Sequence, residues 1–242
     1  MSRRHFLTTG ALAAGAVALA ACGAKKNTVQ SGSSSSSTTV QWRLASAWTA
    51  NFPVFAGSVQ RIADDVKEMS GGRFLIEVDP SNKHKVPFGV FDLVREGQYE
   101  MGQSPVYYWK GKDPVMALFT TMPFGLTASE QNAWYYYGGG NELLQKAFAK
   151  HGLIAFNAGN TDMQMGGWFR KEIRSLADMK GLKMRVPGLG GEIYAKLGVQ
   201  VLNIPGSELY SALEKNVVDA VEWVGPAIDL PMGFQQIAEF YY

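Results

Sequence analysis

Three short stretches carry side chains whose types and settings could do chemistry. In Leu182-Lys183-Met184-Arg185-Val186-Pro187-Gly188 an arginine closes an apolar run just before a Pro-Gly turn. A guanidinium there presents a planar fork that grips a carboxylate through two charge-assisted hydrogen bonds. An arginine that merely decorates a strand gives the same local pattern. In Asp219-Ala220-Val221-Glu222-Trp223-Val224-Gly225-Pro226 a glutamate interrupts an apolar run. Buried, it needs a cation or an arginine nearby; at a strand end it could equally face water. In Asn160-Thr161-Asp162-Met163-Gln164-Met165-Gly166-Gly167-Trp168 the Gln164 amide sits in an extended apolar setting and must find partners, whether functional or structural. The two glycines and the tryptophan beside it point to close backbone approach and a flat apolar wall.

Reaction chemistry finds little to work with. An enzyme needs a nucleophile–base pair, a metal with an open position or a dinucleotide loop. Gly-x-Ser-x-Gly is absent, His84 and His151 lie in polar surroundings, and His5 falls in the leader. Gly138-Gly139-Gly140 does not follow a strand-like run, so it is no dinucleotide fingerprint. The single cysteine excludes an internal disulfide and any thiolate-built zinc or iron–sulfur centre. No organic cofactor is implied.

The elements that must position Gln164, Arg185 and Glu222 come from alternating strand-like and helix-like pieces. Residues 40–45 alternate as a strand does. Val54, Phe55, Val59, Ile62, Ala63 and Val66 then recur at helical spacing, and Gly71-Gly72 ends that helix. Strands are expected over 73–78 and 99–103, and helices over 88–95, 129–137 and 142–150. A second alternation opens with a strand over 153–156 and an extended run over 163–169. Ser175 to Asp178 reads as a capping box. Strands over 182–186, 199–204 and 217–223 flank a helix over 191–197 and another capped by Ser207 and running through Lys215. Pro226 starts a last helix. This order predicts an α/β fold with mainly parallel sheets, in which ligands sit at the carboxyl ends of strands.

The two ends of the chain carry a different kind of information. Arg3-Arg4-His5-Phe6-Leu7 followed by the apolar stretch from Ala11 to Ala21 reads as an export signal of twin-arginine type over residues 1–21. That stretch is shorter than the roughly 20 apolar residues that span a bilayer. Leu19-Ala20-Ala21-Cys22 looks like a bacterial lipobox, which makes Cys22 a lipidation site and the mature protein periplasmic or cell-surface, tethered to a membrane. Residues 22–38, with five serines in a row, make a flexible tether. Net charge is +2, and residues 1–21 hold Arg3 and Arg4 and no acid, which takes the remainder to zero. A neutral body argues against nucleic acid or an anionic membrane surface as partner. The chain stops on Phe240-Tyr241-Tyr242 with no polar tail, which suggests a fragment.

The three constellations, in order, resemble the extracytoplasmic solute receptors of TRAP transporters, the DctP-type family. The likeness rests on Gln164 to Ile173, Gly181 to Gly188 and Glu222 to Pro226. Further matches are Tyr108 to Pro114, Pro123 to Thr127 and Trp134 to Gly140, so that it spans about 40–242. The most similar branch binds α-keto acids, lactate and related 2-oxo or 2-hydroxy acids. The resemblance implies a two-lobe periplasmic-binding-protein-like fold with a hinge, here lobe I over 39–158 and lobe II over 159–242, incomplete at its C-terminus. It implies that Arg185 binds the substrate carboxylate and that Tyr108 adds a hydroxyl. Trp48, Trp168 and Phe88 become pocket walls. A metal cation, sodium or calcium, is implied on the Gln164 side-chain carbonyl, the Glu222 carboxylate and the Trp223 backbone carbonyl; these are hard oxygen donors. The implied partners are a small carboxylate, the membrane permease subunits of a TRAP transporter and a second copy in a homodimer. Two departures stand out: Pro80 to Lys85 is more basic than the family loop, and Asp162 occupies a place where glycine is expected. An exported sensor or scaffold domain, or an exported α/β hydrolase, remain the other readings.

Overall fold

The computed structural model describes residues 38–242. The export signal, Cys22 and all but the last residue of the tether lie outside the described residues.

The chain opens with β1 (Val40–Ser46), α1 (Phe55–Met69), β2 (Phe74–Asp79), a single turn α2 (Ser81–His84), α3 (Val90–Arg95) and β3 (Met101–Gln103). β1 lies between β2 and β3 and pairs parallel with both. Two helices follow, α4 (Ala128–Tyr137) and α5 (Gly140–Ala149). α4 starts at a capping box in which Thr127 and Glu130 bond each other's backbone.

The second half contains β4 (Trp168–Phe169), β5 (Lys183–Arg185), α6 (Gly188–Lys196), β6 (Gln200–Leu202), α7 (Leu209–Glu214), β7 (Ala220–Val221), α8 (Pro226–Asp229) and β8 (Phe240–Tyr241). Its sheet runs β6-β5-β7-β4-β8. β5 pairs parallel with β6 and β7, whereas β4 pairs antiparallel with β7 and β8. The expectation of mainly parallel sheets therefore holds for the first sheet and for one side of the second. The antiparallel side arises because residues 163–169 enter the sheet from the opposite direction.

Several local expectations are corrected. Residues 153–156 form no strand: Gln145 satisfies the backbone of Ala155 at both its N–H and its carbonyl, and Ile154 and Phe156 are exposed. Of the extended run 163–169, only Trp168–Phe169 is in a ladder, and of 217–223 only Ala220–Val221. Ser207 caps nothing with its side chain; it lies inside a 3-10 turn, Gly206–Glu208, that leads into α7. The capping box at Ser175 and Asp178 does form, on a 3-10 turn.

Alternation along the second sheet decides which side chains face the first. Phe169, Met184 and Ala220 join Met179, Val186 and Val199 in a core on one face. Their strand neighbours Trp168, Arg185 and Val221 point the other way, because successive side chains alternate. On that side Trp168 and Val221 enter a second, larger core that also contains Ala45, Trp48 and Phe52 from the first half. Arg185 thus projects from the carboxyl end of a central parallel strand into the region where the two halves meet.

Candidate functional site

Arg185 is fully buried, with 0% of its surface exposed. Its Nε donates to the Ile204 carbonyl (3.1 Å), Nη1 to the Glu222 carbonyl (2.8 Å) and Nη2 to the Tyr108 hydroxyl (3.3 Å). The guanidinium carbon sits 4.9 Å from the centre of the Trp223 ring, a cation–π distance. A guanidinium has five N–H donors. Three are engaged in these bonds, so two are left for a ligand.

Glu222 follows β7 directly, and its N–H donates to the Arg185 carbonyl (2.9 Å). Its carboxylate Oε2 stands 3.5 Å from Arg185 Nη1, too far for a good hydrogen bond. Burial accordingly dominates and pushes the carboxyl up to about 8; Arg185 opposes the shift and Asp229 adds to it. An under-compensated buried carboxylate of this kind is relieved by a cation placed against it. The Glu222 carbonyl is taken by Arg185 and the Val224 carbonyl by the Met165 N–H (2.8 Å). The Trp223 carbonyl between them accepts no hydrogen bond among the described residues. The Trp223 indole N–H is buried and also lacks an acceptor among the described residues. Gly206 makes room for that ring, since a Cβ there would lie 2.5 Å from it.

Gln164 is on the segment that runs beside 221–225. The Met165–Val224 bond continues the register of the β4–β7 pairing, in which Trp168 faces Val221. Gln164 Nε2 donates to Thr161 Oγ1 (3.2 Å), which leaves the side-chain oxygen as an acceptor. Gly167 answers the expectation of close backbone approach: its φ is +129°, and a Cβ would lie 2.6 Å from the Val221 carbonyl oxygen.

Tyr108 joins the site through Arg185, and Phe88 packs edge-on against Tyr108 at 4.7 Å. Burial pushes the Tyr108 hydroxyl up, against the pull of Arg185, so it stays a neutral donor and acceptor. Trp48 stacks on Phe55 at 4.4 Å; Phe55 meets Phe52, and Phe52 lies 5.4 Å from Trp223. Trp168 is engaged elsewhere. Its indole N–H donates to Asp229 Oδ2 (3.1 Å) and its ring stacks on Tyr241 at 4.0 Å. A cavity of about 420 Å³ adjoins Tyr108, walled by Tyr107, Pro187, Gly188 and Asn203, with the Lys110–Glu192 ion pair (2.5 Å) among its lining residues.

Tyr107, Phe52 and Asp229 escaped the sequence reading. Only Asp229 left a signal: an acid three residues after a helix-starting proline, Pro226. The two departures from the family pattern have structural explanations. Lys83 bonds both Glu77 (2.7 Å) and Asp79 (2.5 Å), and His84 Nε2 donates to the Ser46 carbonyl (2.8 Å), so the basic loop braces the first sheet. Asp162 has φ +60°, the left-handed conformation that glycine enters most easily.

An arginine fork and a buried carboxylate at the carboxyl ends of adjacent parallel strands, facing a second α/β half, define a solute-binding fold. Residues 44–242 match the family described as bacterial extracellular solute-binding protein, family 7, and the chain belongs to that family. It is 44% identical, over its whole length and 65% of the relative's, to a monocarboxylate 2-oxoacid-binding periplasmic protein of Nostoc sp. (strain PCC 7120). Among solved structures it is similar to a TRAP periplasmic solute-binding protein from Pseudoalteromonas atlantica T6c with bound sodium and pyruvate. The identity is 56% and the TM-score 0.83, covering 85% of this chain and 62% of that one. A counterpart from Colwellia psychrerythraea with bound calcium and pyruvate gives 56% identity and a TM-score of 0.82, with the same coverage. The chain therefore spans less than two thirds of the length of these relatives.

Proposed function

We propose that this chain is the ligand-capturing part of a TRAP-type transporter, not an enzyme, and that it binds a small 2-oxo or 2-hydroxy monocarboxylate together with sodium or calcium. The observation that carries this reading is Arg185: fully buried, with two donors to spare, beside a carboxylate that burial has pushed up to about 8. The pyruvate and cations bound by the two solved relatives support it.

Arg185 holds the ligand carboxylate with its fork, and the Tyr108 hydroxyl orients the guanidinium and adds a polar contact. The Gln164 oxygen, the Glu222 carboxylate and the Trp223 carbonyl fit a hard cation, since all are oxygen donors and one is an under-compensated charge. Bound there, the cation supplies a positive centre for a ligand oxygen. Trp48, Phe88 and Trp168 are assigned to the apolar surroundings; the Asp229 bond of Trp168 makes it the least direct of the three. The sheets β1–β3 and β4–β8 fall on either side of residue 159, which supports lobes over 39–158 and 159–242 that close on the ligand. Closure excludes water and strengthens every polar contact inside. Periplasmic delivery to the permease subunits, a lipid anchor on Cys22 and a homodimer complete the proposal.

Calorimetric titration with pyruvate, with sodium or calcium present and after exhaustive chelation, tests it. Arg185→Lys should lose about 2 kcal/mol or more of affinity, because the charge stays and the fork goes. Wild-type affinity in Arg185→Lys for pyruvate and longer 2-oxo acids would place the carboxylate elsewhere.

A further inference from the structure

Ligand capture by Arg185, Gln164 and Glu222 makes no use of the other buried acid of this region, Asp229, which is 0% exposed. Its Oδ1 accepts from the N–H groups of Val224 and Gly225, both at 3.0 Å. Its Oδ2 accepts from the Trp168 indole N–H and the Tyr241 hydroxyl, both at 3.1 Å. One carboxylate thus ties the segment after β7 to β4 and to β8.

That segment needs such a tie. The β7 ladder ends at Val221, so residues 222–225 run on past the last ladder pair just where Glu222 and Trp223 present their oxygens. Two backbone bonds hold its first part, from Glu222 N–H to Arg185 and from Met165 N–H to Val224. The N–H groups of Val224 and Gly225 have their acceptor only in Asp229 among the described residues. Each bond to a carboxylate is charge-assisted; one oxygen serves the segment and the other serves β4 and β8. Helix start alone would explain the Oδ1 bonds; it does not explain why the same carboxylate reaches Trp168 and Tyr241.

We infer that Asp229 is a positioning residue for the binding site: it fixes the backbone of Val224 and Gly225, and so sets where the Glu222 carboxylate and the Trp223 carbonyl stand relative to Arg185. The inference rests on the proposed function for its effect on binding, and on geometry alone for its effect on the backbone. A group that accepts four bonds through two oxygens has no neutral substitute. Asparagine must turn its NH2 either toward the two backbone donors or toward the indole and phenol donors, and in either orientation it loses the charge that assists all four bonds.

Amide hydrogen exchange of the ligand-free protein, read at Val224 and Gly225, and calorimetry with pyruvate with and without calcium test it together. In Asp229→Asn both amides should exchange about tenfold faster or more. Pyruvate affinity should fall about tenfold, and the factor by which calcium strengthens pyruvate binding should shrink. A purely structural role lowers the melting temperature and leaves affinity and that factor alone, which would overturn the inference. Should Asp229→Asn fail to fold, Tyr241→Phe decides. It removes one donor remote from the segment, so affinity should fall about threefold with faster exchange at the same two amides; wild-type values overturn the inference. If the wild-type chain binds neither pyruvate nor calcium, the functional reading fails and this inference with it. If the wild type binds and Asp229→Asn binds equally well, the inference alone fails.

Discussion

Arg185 and Glu222 bury two ionisable side chains side by side, yet the two side chains are not hydrogen-bonded to each other. Arg185 donates to the Glu222 backbone carbonyl, and the carboxylate is left 3.5 Å away. The consequence is measurable. Without a cation, Glu222 should be mostly protonated at pH 7, because burial has raised it to about 8. A folded-state value raised above the unfolded one stabilises the fold fully below about pH 4.5, and that contribution is lost as pH rises through about 8. The ligand-free, cation-free protein should therefore become less stable from about pH 5 to pH 8 through this group, and Glu222→Gln should flatten that part of the profile. Cation uptake at pH 7 should release close to one proton. Calorimetry in two buffers of different ionisation enthalpy reads it directly, and equal heats in both would contradict a carboxylate-held cation.

Among the elements, the approach of 163–169 to β7 governs the site. Gly167 is the residue that permits it, through φ +129° and the 2.6 Å that a Cβ would leave to the Val221 carbonyl. Gly167→Ala should cost about 2–3 kcal/mol of stability in denaturant unfolding, from combined backbone strain and a steric clash. Asp162, earlier on the same approach, is the opposite case. Its left-handed backbone is offset by bonds from the Ala128 N–H to its side chain (3.3 Å) and from its own N–H to Asn160 Oδ1 (2.7 Å). Asp162→Gly should fall within about 1 kcal/mol of wild type, strain relief offsetting the lost bond, whereas Asp162→Val should destabilise by more than that. Thermal unfolding of the two variants side by side checks both signs.

Across the whole molecule, the two halves meet through rings. Trp48, Phe55, Phe52 and Trp223 form a continuous series from the end of β1 to the face of Arg185, and Tyr108, with Phe88 packed on its ring, bonds the same guanidinium from the turn after β3. Both proposed lobes thus contribute to the surroundings of a single charge, an arrangement through which the proposed ligand capture and closure would reinforce each other. The anchor belongs to this scale too. The proposed lipid on Cys22 would hold the chain at a membrane surface, and Cys22→Ala should then move it from the membrane to the soluble fraction on cell fractionation. Unchanged membrane association would exclude the lipid.

The sequence by itself determined the α/β alternation, the capping box at Ser175, the helix start at Pro226 and, of the glycine pair 166–167, the close backbone approach at Gly167. All of these are written in local spacing: hydrophobic period, cap chemistry and backbone sterics act over a few residues. It also singled out Gln164, Arg185 and Glu222, because a polar group in an apolar run is conspicuous. Whether Arg185 was buried or a surface decoration stayed open at that level. The tertiary structure decided it, since burial and hydrogen-bond partners are properties of neighbours distant in the chain: Ile204, Tyr108 and the Glu222 carbonyl. It also decided that 153–156 forms no strand, because a ladder needs a partner and Gln145 supplies the bonds instead. Asp229 shows the division most clearly. An acid near a helix start is ordinary in sequence, and only the fold brings Trp168 and Tyr241, distant in the chain, onto its second oxygen.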